Sequence, residues 1–144
     1  MSALRYAYAQ DAAVIYSIGS HQTERTNQLD GVSISNNLGE RNLISNIHST
    51  LDLEDVTFID NHVNAGTNGI NAIGGVLNLR RTKSIGSIEV FTQVDFRAES
   101  GFLTMTGGTT LTMVTTTISL NKGSLASVLH SVGPNRIEIR SCSF

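Results

Sequence analysis

Acidic and basic side chains are the groups in this chain best placed to do chemistry. Asp52, Glu54 and Asp55 form a tight cluster, Glu89 and Asp95 follow, and Glu138 comes near the end. Arg97, Arg136 and Arg140 accompany the later carboxylates. Carboxylates on neighbouring strands can serve as general acid and base, and with a basic residue they can hold Ca²⁺ and remove a proton. Other chemistries find little support. His21, His48, His62 and His130 are widely separated, without metal-ligand spacing, so no metal site is expected. Cys142 is the single cysteine and has no neighbouring histidine, so it reads as a small core hydrophobe rather than a nucleophile. Gly74-Gly75 and Gly107-Gly108 lack the Gly-Lys-Ser/Thr ending of a phosphate loop and read as turns. No cofactor is expected.

These groups must be positioned by strands. Outside the first dozen residues and Ser124 to His130, helical periodicity is scarce. Short alternating runs such as Leu51-Asp52-Leu53, Val56-Thr57-Phe58, Ile88-Glu89-Val90, Ile118-Ser119-Leu120 and Ile137-Glu138-Ile139 lie between clusters of Gly, Asn and Ser. Alternation of this kind buries one face of a strand, which sends Asp52, Glu89 and Glu138 outward. Charged residues are only 15% of the 144 and the net charge is −2, which gives no basis for binding nucleic-acid phosphates. No apolar run reaches the roughly 18 residues of a membrane span. The opening segment does not read as a secretory signal, because Tyr6, Gln10 and Asp11 interrupt the apolar stretch, as expected of a chain not secreted by this route, of a mature piece or of an excerpt. The last residues, Ser141 to Phe144, read as part of a strand, which suggests an excerpt of a longer protein.

A strand-rich chain calls for a search for repeats. Two apolar residues flanking a polar one recur at Val32-Ser33-Ile34, Val56-Thr57-Phe58, Val94-Asp95-Phe96, Ile118-Ser119-Leu120 and Cys142-Ser143-Phe144. The interval is the same throughout except between the second and third copies, where it is wider. His62 to Gly75, rich in Asn and Gly, accounts for the extra length as a loop insertion. An apolar residue precedes each copy: Leu29, Leu53, Val90, Val114 and Ile139, with a slight drift of register that suggests a bulge. One such repeat cannot bury its own face, so neighbours must stack. The expected fold is all-β: a right-handed parallel β-helix, or solenoid, of about five rungs with a repeat of about 24 residues, spanning 14–144. Residues 1–13 are expected as an N-terminal cap, and residues near 62–75 as the insertion. A β-sandwich or jelly roll is the alternative. It would favour hairpins with Asn-Gly turns, and the one such pair, Asn68-Gly69, lies in the proposed insertion.

Phe58-Ile59-Asp60-Asn61 followed by Gly74-Gly75-Val76-Leu77 resembles the paired FxxN and GGA[ILV] repeats of chlamydial polymorphic outer-membrane proteins. More broadly, the rung pattern is similar to that of the pectin-lyase-like superfamily. Asn37 and Asn61 occupy the same place in successive rungs and read as turn residues stacking their amides. The resemblance implies a cell-surface or extracellular setting, and either of two functions. One is a non-enzymatic structural or adhesive segment presenting a lateral face and loops. The other is a carbohydrate-active or carbohydrate-binding β-helix, a polysaccharide lyase or hydrolase. The Gly-His-Gly and Asn-Thr-Asp motifs of the related galacturonases are missing, which counts against a hydrolase. Candidate ligand-binding residues are Asp52, Glu54, Glu89, Arg97, Glu138 and Arg140; Asn64, Asn68 and Asn71 are candidates for a partner loop. Partners are expected to be other protein chains, or a continuation of this chain, through the open ends of the β-helix, as in a filament subunit; carbohydrate is a further candidate.

Overall fold

The computed structural model describes residues 2–5, 8–9, 14–19, 26–39, 42–63, 69–86, 88–89, 102–119 and 128–144. Strands β1 (Ser2–Arg5) and β2 (Tyr8–Ala9) open the chain. A first complete turn follows: β3 (Ile15–Ile18), β4 (Thr26–Asp30), β5 (Val32–Ser35) and β6 (Leu38–Gly39). The second is β7 (Ile44–Ile47), β8 (Thr50–Glu54), β9 (Thr57–Ile59) and β10 (His62–Val63). The third is β11 (Ile70–Ile73), β12 (Val76–Arg80), β13 (Lys83–Ile85) and β14 (Ile88–Glu89). Two partial turns close it: β15 (Leu103–Thr106), β16 (Thr110–Val114) and β17 (Thr117–Ser119), then β18 (Leu129–Ser131) and β19 (Arg136–Arg140). Every strand pairs in parallel with its equivalents one turn away, giving sheets β1-β5-β9-β13-β17, β2-β6-β10-β14, β3-β7-β11-β15-β18 and β4-β8-β12-β16-β19. This is a parallel β-solenoid of about three complete turns, and not a sandwich, whose hairpins would pair antiparallel. The described residues contain no helix.

The last of these sheets has five-residue strands and is called the wide sheet below. Its register stacks Leu29, Leu53, Leu79, Met113 and Ile139 in one column, and Leu51, Leu77, Leu111 and Ile137 in another. Leu51, Leu53, Leu77, Leu79, Leu111 and Met113 are buried. Neighbouring rungs about 4.8 Å apart let each side chain pack on the one above, which is why like residues recur. The expected drift to Val114 is corrected: Met113 takes the inward place and the column runs without a bulge.

In the β1-β5-β9-β13-β17 sheet, Ile34, Phe58, Ser84 and Ile118 form a column. Val32, Ile34, Leu53, Val56, Phe58 and Ile118 are buried as expected. Ile139 is 42% exposed, because β19 is the edge strand of the wide sheet. Val90, Val94, Phe96 and Leu120 lie outside the described residues. The rung places expected for Val94 and Phe96 are filled by Thr82 and Ser84, and that expected for Val90 by Leu79. Thr82 is buried and donates from Oγ1 to the Leu53 carbonyl at 3.3 Å. Thr116, buried in the next turn, does the same to Leu79 at 3.4 Å. A threonine is nearly the shape of valine, and its hydroxyl is tolerated inside once it has an acceptor. Cys142 packs partly buried against the same core.

Two segments set apart in the sequence contribute strands to the rungs. The described ends of the 62–75 stretch lie in the coil, since His62–Val63 pairs with β6 and β14, and Ile70–Ile73 pairs with β7 and β15. Ile70 and Ala72 are fully buried. The long turn is the next one: the step from Leu79 to Met113 exceeds the steps from Leu29 to Leu53 and from Leu53 to Leu79, which are nearly equal. Within the segment expected as a cap, Ser2–Arg5 pairs in parallel with Val32–Ser35 as a rung strand.

The corners show how so varied a sequence keeps one path. The wide sheet turns into the next through a single left-handed residue in every rung: Gly31, Asp55, Arg81, Thr115 and Ser141, with φ between 48° and 62°. At the opposite corner Gly75 sits at φ 78°, and a Cβ there would lie 2.3 Å from the Ser49 carbonyl oxygen. Only glycine fits that close approach of successive coils.

Buried amides hold a third corner. Asn37 and Asn61 are 1% and 0% exposed. Asn37 donates its backbone N–H (3.1 Å) and its Nδ2 (3.0 Å) to Asn61 Oδ1, while Asn61 Nδ2 donates to the Ile34 carbonyl at 2.9 Å. The expected stacked amides are present, and they satisfy backbone groups between coils.

Candidate functional site

Because side chains alternate, the outer face of the wide sheet carries three columns. Gln28, Asp52, Asn78, Thr112 and Glu138 form the middle one. Asp30, Glu54, Arg80, Val114 and Arg140 form the column beside the left-handed corner, and Thr26, Thr50, Val76, Thr110 and Arg136 the other. One border carries short side chains as far as Arg136, and the other is charged except at Val114.

Its charged centre lies on β8 and β12. Asn78 Nδ2 donates to Asp52 Oδ1 at 2.6 Å across one rung. Arg81 projects from its left-handed corner over the rung before, giving Nε and Nη2 to the two oxygens of Asp55 at 2.8 Å each. The same Nη2 reaches Glu54 Oε1 at 2.5 Å. The hydrogen bonds from Arg81 hold the Asp55 carboxyl below its ordinary range, helped by the guanidinium charge, and the same contacts raise Arg81 further above its own. All three groups reach solvent, with side chains 53%, 33% and 48% exposed for Arg81, Glu54 and Asp55, so the network fixes geometry more than it stabilises the fold.

Beside this network Gln28, Asp52, Glu54, Asn78 and Arg80 line a concavity of about 150 Å³ floored by Leu53. That is room for about five waters, or for one side chain or sugar ring, and less than a drug-sized pocket. The Arg80 guanidinium, on the exposed rim, makes no hydrogen bond or ion pair with the described residues. The concavity thus offers a planar donor, a glutamine amide and the remaining carboxylate oxygens. These are donors and acceptors complementary to polar groups.

Of the residues singled out from sequence, Asp52 and Glu54 meet here. Glu138 and Arg140 form an ion pair with each other on β19, three strands from Asp52. Glu89 belongs to β14, in another sheet. Asn71 is half-buried on β11, between Ser45 and Thr104. Arg97, Asn64 and Asn68 lie outside the described residues. No three His, Cys, Asp or Glu side chains among the described residues come together as a metal site. Gln28, Asn78, Arg80 and Arg81 are the members that reading the sequence missed. The signal was available: Asn78 and Arg80 repeat the spacing of Asp52 and Glu54 one rung on. A scan against protein-family models and searches of curated proteins and of solved structures return no match to this chain.

Proposed function

We propose that this chain is a non-enzymatic segment of a structural or adhesive β-helix, a stiff spacer whose working surface is the outer face of the wide sheet. The observation that carries the reading is the engagement of the central carboxylates. Asp52 accepts from Asn78, while Glu54 and Asp55 share Arg81, so the acidic groups are set in a rung-to-rung hydrogen-bond network rather than paired across a cleft. Asp55, held ionised, is a poor proton donor near neutral pH. Repetition supplies length and stiffness, and the lateral face supplies contacts. The FxxN and Gly-Gly elements support kinship with the polymorphic outer-membrane repeats, since Phe58 fills the core column, Asn61 bridges coils and Gly75 permits their close approach. A cell-surface location belongs to this reading.

Carbohydrate binding is the second reading, favoured by the concavity at Gln28, Asp52, Glu54, Asn78 and Arg80. Both are tested by presenting the chain with a polysaccharide panel, following unsaturated and reducing-end products together with retention on the immobilised polymers. The scaffold reading expects no turnover at any pH. Product formation abolished by Asp52→Asn would overturn it. Retention without turnover, lost in Gln28→Ala, would support the second.

A further inference from the structure

The outer face of the wide sheet is electrically bipolar along the solenoid axis. Its first two rungs carry Asp30, Asp52 and Glu54, with Asp55 at the corner; the third carries Arg80 with Arg81 at the corner, and the last carries Arg136 and Arg140 beside Glu138. The sign changes between β8 and β12. A two-fold axis laid between those strands and parallel to them turns a second copy face to face while keeping each column opposite itself. The β8 row of one copy then meets the β12 row of the other: Glu54 faces Arg80, Asp55 faces Arg81, Asp52 faces Asn78, and the same contacts recur reciprocally. The match uses Arg80, whose guanidinium has no partner among the described residues, and the concavity beside Asp52 and Glu54 that has room for one side chain. The flanking Thr50, Val76 and Thr110 are small enough to let two flat sheets approach.

We infer that this face pairs with a second copy of the same chain in antiparallel orientation, each Arg80 entering the concavity of its partner. The inference rests on the lateral face being the working surface and names its occupant. With β19 overhanging, four facing rungs about 4.8 Å apart and five residues at about 3.3 Å give a face of roughly 300 Å² per copy, so about 600 Å² in all. Stable dimers bury about 1,200–2,000 Å², so one segment pairs weakly, with a dissociation constant of roughly 0.1–1 mM, and in a salt-sensitive way.

The test is sedimentation of the full chain over a concentration series reaching millimolar, at about 10 mM and about 1 M salt. Concentration-dependent dimerisation at low salt that weakens at least tenfold at high salt is expected. Glu54→Arg and Arg80→Glu should each be monomeric alone, and an equimolar mixture of the two should associate, since their opposed pairs become Arg with Glu and Glu with Arg. Circular dichroism melts establish that each variant is folded, and the double variant, which restores both pairs within a homodimer, serves where one single variant is not. A wild-type chain that stays monomeric at all concentrations, or a mixture that does not associate, would overturn the pairing. If the chain is monomeric yet polysaccharide retention is lost in Arg80→Glu, the pairing fails and the lateral-face reading stands; if neither is seen, both fail.

Discussion

Replacing Asn61 by alanine removes one side chain and three hydrogen bonds between coils. Two are donated by Asn37, from its backbone N–H and its Nδ2, and the third runs from Asn61 Nδ2 to the Ile34 carbonyl. Each buried hydrogen bond contributes about 1 kcal/mol net, so their loss costs about 3 kcal/mol, with more if a backbone group is left dry. Asn61 is fully buried and water does not readily replace the amide. Urea unfolding followed by circular dichroism measures this directly. With a slope of about 2 kcal/mol per molar, the midpoint should fall by about 1.5 M. Asn78→Ala is the matching control, because its amide sits on the solvent side of the wide sheet and should shift stability by no more than about 0.5 kcal/mol. If Asn61→Ala shifts the midpoint no more than Asn78→Ala does, the amides are ornaments of the turn and the coils are held by the apolar columns alone.

Leu53→Ala opens a void between Leu29 and Leu79 and should cost about 2–5 kcal/mol by urea unfolding, where an exposed position would cost far less. Thr115→Gly should raise stability by about 1 kcal/mol in the same assay, since Thr115 is a β-branched residue held at φ 50° and glycine relieves that conformation. Asp55 should titrate below the ordinary aspartate range in a carbonyl-carbon NMR titration and return toward it in Arg81→Ala. Its folded pKa is depressed, so the contact's contribution is present above the unfolded aspartate value and is lost as pH falls through the folded one; an Asp55 resonance unmoved by Arg81→Ala would remove the hydrogen bond from the account.

The first turns were legible in the sequence because their inward residues are apolar and their lengths agree. Leu29 and Leu53, Ile34 and Phe58, and Asn37 and Asn61 share one spacing and all prove to be rung neighbours or partners. The reading failed at the third turn for a chemical reason. Thr82 and Ser84 hold the places where the pattern required apolar residues, and both are fully buried. A search that admits only apolar residues passes over them to Val94 and Phe96, and must then invent an insertion at 62–75. The real extra length falls between Glu89 and Phe102, after the turn it was assigned to. The same slip hid the site. Asp52 and Glu54 were legible as outward carboxylates from alternation alone, but Asn78 and Arg80 become their neighbours only when the rung is slightly longer than the one before it. The left-handed corner has no sequence signature at all. Gly31, Asp55, Arg81, Thr115 and Ser141 share a backbone conformation and no side-chain property, so their alignment comes from the paired strands on either side.

The rung register is the claim on which the columns, the corner network and the bipolar face all depend, and NMR of the labelled chain measures it most directly. Parallel-ladder contacts between backbone protons should join Leu53 to Leu79 and Leu79 to Met113, with Thr57 joined to Lys83 and Lys83 to Thr117. Contacts joining the Leu53 strand to the residues around Val90 would contradict it, as would the close α-proton pairs of antiparallel hairpins.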